Sequence, residues 1–225
     1  MTHLYVFGDS ITQGAWDPMG GWVQRIRSIL DEEYFQDPEK YCLTFNMGVS
    51  GNTTVEILKR FKPEMNARFN KDEKTVLLFA VGINDSLIDY DQGVNVMTTD
   101  QFEKNLNSLL RQAKKYSDKI GFVGLNPIDE SDVNPLPWSK GEAYWNSSVH
   151  AFDTALKNFC EDKNIPFVDV WKRWHKEEDY KRWLFDGVHP NASGHQRIAQ
   201  AVLKDFLNPM GFSVKPELAG GYLGL

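Results

Sequence analysis

Apolar residues follow two rhythms along this chain. Leu4 to Phe7 are a short continuous apolar run, which predicts a first strand. In Gly21 to Leu30 the rhythm changes, and Trp22, Ile26, Ile29 and Leu30 fall on one helical face. Tyr41 to Met47 reads as a second strand. After it, Thr53 or Thr54 is placed to cap a helix carrying Val55, Ile57, Leu58 and Phe61, which Pro63 is expected to disrupt. Thr75 to Val81 is the clearest strand, unbroken as in a parallel sheet covered on both faces. Thr99 to Lys115 is amphipathic, with Asp100 near its start and Lys114 and Lys115 at its end, where the helix dipole favours each charge. Ile120 to Val123 and Phe167 to Val170 predict two more strands, separated by a helix over Glu142 to Asp162. Ala192 to Leu207 predicts the last long helix. This alternation argues for an α/β fold with one parallel sheet between helices. One long irregular stretch interrupts it, Gly124 to Lys140, with Pro127, Pro135, Pro137 and Trp138; loops of that length are often functional.

Four polar clusters fall where predicted strands end, the rim on which parallel sheets bind ligands. Gly8-Asp9-Ser10 follows the first strand, Asn46 to Asn52 the second, and Gly82-Ile83-Asn84-Asp85 the third. Asp186-Gly187-Val188-His189-Pro190 precedes the last helix. A serine, an imidazole and a carboxylate are the parts of a nucleophilic hydrolase, because serine attacks well only when a base takes its proton. Three residues apart on an expected helical turn, Asp186 and His189 have neighbouring side chains. The aspartate then holds Nδ1–H and leaves Nε2 for Ser10. Plainer roles exist for each residue: Ser10 as a helix cap, Asn84 and Asp85 as turn residues, Gly48 and Gly51 as tight backbone. Their joint presence on one rim favours the chemistry. Asp9 and Asp85 read as scaffold. No catalytic role falls to His3, His150, His175 or His195, and His175 sits among Lys172, Arg173, Lys176, Glu177 and Glu178 in what reads as a solvated charged face.

These four blocks, in this order, resemble the GDSL or SGNH hydrolase superfamily, named for Ser, Gly, Asn and His in successive blocks. The first reads Gly-Asp-Ser-Ile rather than Gly-Asp-Ser-Leu, a small apolar exchange. The resemblance implies a three-layer α/β/α sandwich with a mainly parallel, flavodoxin-like five-stranded sheet, in a single domain over residues 1–207 followed by an irregular tail over 208–225. It implies Ser10 as nucleophile, His189 as general base and Asp186 as its orienting acid. It also implies an oxyanion hole from the Ser10 and Gly51 N–H groups and the Asn84 amide. Residue chemistry agrees: Gly51 admits close backbone approach, and a neutral amide donor suits a developing oxyanion.

Composition narrows the partners. The chain has 225 residues, 25% of them charged, and a formal net charge of −6 with no basic run, so nucleic acid is not an expected partner. No apolar stretch approaches the roughly 20 residues that span a bilayer, and no basic-then-apolar leader opens the sequence; a cytoplasmic protein without integral membrane association fits. Cys42 and Cys160 stand in a strand and a helix and read as buried free thiols. The expected substrate is a small acyl or acetyl ester with no cofactor, met by Trp16, Trp138 and Val188 beside the site. A homodimer contact through the tail is a further expectation. Two alternatives stay open: a metal-dependent phosphoesterase gathering Asp9, Asp85, Asp186 and His189 on Mg²⁺ or Mn²⁺, and a catalytically silent binding module on the same rim.

Overall fold

The computed structural model describes residues 1–212. Most of the expected 208–225 tail, with Gly220 and Gly221, lies outside the described residues, and so does any dimer contact it would make. Strand β1 (Thr2–Gly8) leads into a one-turn helix α1 (Ser10–Gln13) and a long helix α2 (Gly21–Gln36). There follow β2 (Cys42–Gly48), α3 (Thr54–Arg68) and β3 (Lys74–Ala80). Two very short strands, β4 (Ile88–Asp89) and β5 (Val94–Asn95), precede α4 (Thr99–Ala113) and β6 (Ile120–Val123). Then come α5 (Glu130–Val133), β7 (Glu142–Ala143), α6 (Asn146–Asp162), β8 (Phe167–Val168), α7 (Val170–Trp174) and α8 (Ala192–Val202). A π-turn at Leu203–Leu207 continues α8.

The main sheet has the order β2-β1-β3-β6-β8, every neighbouring pair parallel. Helix α2 packs on α8, while α3 meets α4 and α4 meets α6, so helices flank the sheet in two groups. The core runs through the central strands: Phe7 lies 5.0 Å from Phe61 and 5.8 Å from Phe79 between ring centroids. With β1 between β2 and β3, its two neighbours are reached by connections in opposite directions. The crevice of a doubly wound sheet opens at that point, and Ser10 follows it directly.

Departures from the sequence reading are local. Pro63 does not end its helix: it sits on the exposed face of α3, where the lost N–H costs least, while Ile57, Phe61 and Met65 bury the opposite face. Thr53 is the cap of that helix, in a capping box with Glu56. The helix expected from Glu142 begins only at Asn146, because Glu142–Ala143 pairs with β4 in a small antiparallel sheet of order β5-β4-β7. The fifth strand stops at Val168, since Asp169 caps α7 by accepting from Lys172 N–H. Cys42 and Cys160 are buried free thiols, each pushed up to about 12 by burial.

One buried acid links the fold to pH. Asp153 on α6 accepts the Leu125 N–H at 2.8 Å, just past β6. Burial raises its pKa from 3.8 to about 7. The unfolded chain releases this proton near the ordinary value, whereas the folded chain keeps it to about pH 7. The folded state thus binds the extra proton between those values, and stability falls as pH rises through that window. Asp153→Asn keeps an acceptor without the charge. Its unfolding free energy relative to wild type is expected to shift in the variant's favour by roughly 3–4 kcal/mol between about pH 4 and pH 8, read by urea titration. A pH-independent difference would refute this.

Candidate active site

Ser10 owes its position to a strand, a cap and a tight packing contact. Asp9 is the N-cap of α1 and accepts the Ile11 N–H at 2.9 Å, which turns the chain sharply after β1. Sequence reading offered Ser10 itself as a cap; its neighbour takes that role and leaves the Ser10 hydroxyl free for His189. At the end of β2, Gly48 lies against this turn so closely that a Cβ would stand 2.2 Å from Gln13 N. The Asn46 amide donates to Thr12 O at 2.9 Å and completes the join.

His189 and Asp186 arrive on a loop. Their segment is a turn through Gly187 rather than the expected helical turn, and Asp186 Oδ1 makes it by accepting the N–H groups of Val188 (3.1 Å) and His189 (2.9 Å). A bridge between Leu184 and Pro190 and a Phe185 N–H bond to His189 O at 2.8 Å close the loop. Asp186 Oδ2 then lies 2.8 Å from His189 Nδ1, and His189 Nε2 lies 2.8 Å from Ser10 Oγ. Burial works against the Asp186 charge, but the hydrogen bonds from the His189 ring and backbone outweigh it and hold its pKa below 3.8. An ionised Asp186 fixes the proton on Nδ1, and Nε2 is then the acceptor for the serine hydroxyl.

The segments carrying Gly51 and Asn84 are tied to each other and to the end of β1. Gly51 has φ +75 and open space where a side chain would be, so its turn needs glycine for conformation rather than for packing. The Asn84 amide donates to Asn52 O at 3.0 Å and accepts the Tyr144 hydroxyl at 2.9 Å on Oδ1. Arg60 ties two of these segments together, donating from Nε to Asn52 Oδ1 at 2.6 Å and from Nη2 to Gly8 O at 2.9 Å.

Residues 6–197 match the GDSL-like lipase/acylhydrolase family. The chain belongs to that family. It is a carboxylic ester hydrolase. An acetylxylan esterase of Geobacillus stearothermophilus is 26% identical over 218 residues, which cover 90% of this chain and 92% of that protein. A GDSL esterase/lipase of Arabidopsis thaliana is 24% identical over 207 residues, covering 89% and 77% of the two chains. The crystal structure of a lipase/acylhydrolase from Enterococcus faecalis superposes with a TM-score of 0.73 at 18% identity, over 93% of this chain and 97% of that one. At that identity the likeness is one of fold, and it matches the parallel five-stranded sheet between helices.

Around the site of this GDSL hydrolase stands an aromatic rim. Trp16 stacks on Phe185 at 5.7 Å and meets His189 edge-on at 6.4 Å; Trp138 lies 6.2 Å from the same imidazole. All three are open to solvent, at 58%, 64% and 52% exposure for Trp16, Phe185 and Trp138. Trp16 holds φ +63, a conformation that bulky residues seldom adopt. Val188, the third expected wall residue, is 2% exposed and belongs to the core, so its side chain offers no surface to a ligand. Trp171, Trp174 and Trp183 are likewise buried.

The acids of the metal alternative are otherwise engaged. Asp85 receives the Thr54 N–H on both oxygens, at 3.0 and 3.1 Å, as well as the Thr54 hydroxyl. Burial raises Asp9 and Asp85 from 3.8 to about 6. Among the described residues no three His, Cys, Asp or Glu converge as a metal site. Esterase relatives and this donor geometry favour the serine reading over the phosphoesterase. No helix of the described residues is long and apolar enough to cross a membrane.

Sequence reasoning did not find Tyr144, Arg60 or Phe185. Tyr144 lay inside the helix expected from Glu142, and Arg60 reads as an ordinary charge on α3. Phe185, beside Asp186, was the one with a visible signal.

Proposed function

We propose that this hydrolase cleaves small acyl esters, acetyl esters foremost, through an acyl-Ser10 intermediate. The chain of hydrogen bonds from Asp186 through His189 to Ser10, 2.8 Å at each step, carries this reading. His189 Nε2 takes the hydroxyl proton as Ser10 Oγ attacks the ester carbonyl carbon. The oxyanion is met by the Ser10 and Gly51 N–H groups and the Asn84 amide, a pre-set environment that needs no reorganisation. Collapse expels the alcohol, which receives its proton from His189. Water then repeats the sequence on the acyl group and frees Ser10. Ser10 is 5% exposed, which supports a short acyl group, and the open Trp16, Phe185 and Trp138 rim supports a leaving alcohol with a flat face to stack. The relationship to an acetylxylan esterase makes acetylated sugars the first such alcohols to try.

A p-nitrophenyl ester series tests the acyl side: acetate is expected to be turned over at least about tenfold better than octanoate. A fluorophosphonate probe should label Ser10. Turnover that rises with chain length overturns the small-acyl reading; no labelling and no turnover overturn the serine esterase.

Tyr144 offers a finer test. Its hydroxyl fixes the Asn84 amide, so Tyr144→Phe is expected to lower kcat about tenfold with KM nearly unchanged, less than the 10²–10³-fold typical when an oxyanion donor is removed outright. A change confined to KM would contradict the positioning role.

A further inference from the structure

A concentration of basic charge that includes none of Ser10, Asp186 or His189 lies between α7 and α8. There a groove of about 650 Å³ is lined by Lys172, Arg173 and Lys176 on one side and by Arg197 and Lys204 on the other. Arg197, Gln200, Ala201 and Lys204 follow the three-and-four spacing of one helix face, which is why residues so far along the sequence from Lys172 share a wall with it. The charge is poorly balanced. Arg173 is paired with Asp205, and the carboxylate that lines the groove, Asp169, is already held by Lys157 at 3.1 Å and by the Lys172 N–H at 2.9 Å. Lys172, Lys176, Arg197 and Lys204 enter no ion pair among the described residues. This happens on a chain whose formal net charge is −6.

The groove also has a built floor. The Arg197 guanidinium sits 3.8 Å from the centroid of the Trp183 ring, and Trp183 is buried. That contact positions one planar cation with hydrogen-bond donors to spare, while the lysines supply compact charges around it. A solvated basic face ordinarily mixes both signs on a convex surface. Here cations converge in a hollow, where their fields add.

We propose that this groove is a binding site for a compact polyanion carrying two or more phosphate- or carboxylate-type groups, separate from the ester site. Guanidinium and ammonium groups recognise both kinds of oxyanion.

Calorimetric titration of the full chain with tripolyphosphate, and in a parallel arm with citrate, tests it. Saturable binding is expected at about 20 mM NaCl, weakened about tenfold or more at about 200 mM as screening shortens the reach of the charges. Tighter tripolyphosphate binding assigns the phosphate-type ligand, and tighter citrate binding the carboxylate-type one. K176E/K204E should lose at least about tenfold in affinity, as removal of ion contacts to a multivalent anion requires, while turning over p-nitrophenyl acetate at the wild-type rate. If the double variant fails to fold, R197A serves the same comparison. Absence of saturable heat from both anions at the lower salt overturns the site, and so does unchanged affinity in a folded variant.

Discussion

Replacing Ser10 with alanine is expected to lower kcat on p-nitrophenyl acetate by about 10⁴-fold or more, with the melting temperature nearly unchanged. The hydroxyl is the atom that His189 Nε2 faces at 2.8 Å. The side chain contributes little to packing, so thermal melting separates loss of chemistry from loss of fold. His189→Ala is expected to cost about as much, and the double variant little more than either, because a nucleophile and its base act as a unit. Activity within about tenfold of wild type in folded Ser10→Ala would exclude the acyl-serine route, since a residue that carries the bond to substrate leaves far less behind.

Asp186→Asn is the second large effect, a drop in kcat of about 10⁴-fold. The argument lies in which oxygen does what. Oδ1 accepts the Val188 and His189 N–H groups and shapes the turn; an asparagine oxygen can do the same. Oδ2 faces Nδ1 of His189, and there asparagine presents an NH₂ donor instead. The imidazole must then carry its proton on Nε2, where it cannot accept one from Ser10. The expected variant is folded, binds substrate with little change in KM and turns over very slowly. Hydrogen bonding holds the Asp186 carboxyl below 3.8, so it stays ionised on mild acidification. Near-normal turnover in this variant would show that the imidazole is oriented by another group.

Five strands and most helices were legible because buried parallel strands are continuously apolar and the long helices bury a regular face. Thr75 to Val81 is the plainest case. What stayed hidden lacked a period to read. The strands Ile88–Asp89, Val94–Asn95 and Glu142–Ala143 are two residues each, too short for alternation to register, and one of them sat inside a helix-like stretch. Tyr144 follows directly, so the partner of Asn84 was concealed with it. The four polar blocks could be placed on one rim because strand ends are predictable even when loop geometry is not. The turn at Gly187 shows that limit: residue spacing alone fits a helix or a turn, and the Asp186 carboxylate decides by accepting backbone N–H groups. That Val188 turns into the core was hidden for a related reason, since adjacency to His189 says nothing of the direction its side chain takes. Nor does sequence distance reveal that Lys172 and Lys204 face one hollow.

The bond between Ser10 and His189 joins residues separated by 179 positions. Asp186 and His189 meet within a single loop, whereas Ser10 meets His189 only after distant parts of the chain have come together. A ribosome extends a chain from its N-terminal side, so Ser10 emerges long before His189 does. Until that histidine has been added and docked, the nascent polypeptide lacks the contact that faces the Ser10 hydroxyl. On the acyl-serine reading, a chain still lacking residue 189 would therefore be inactive toward esters.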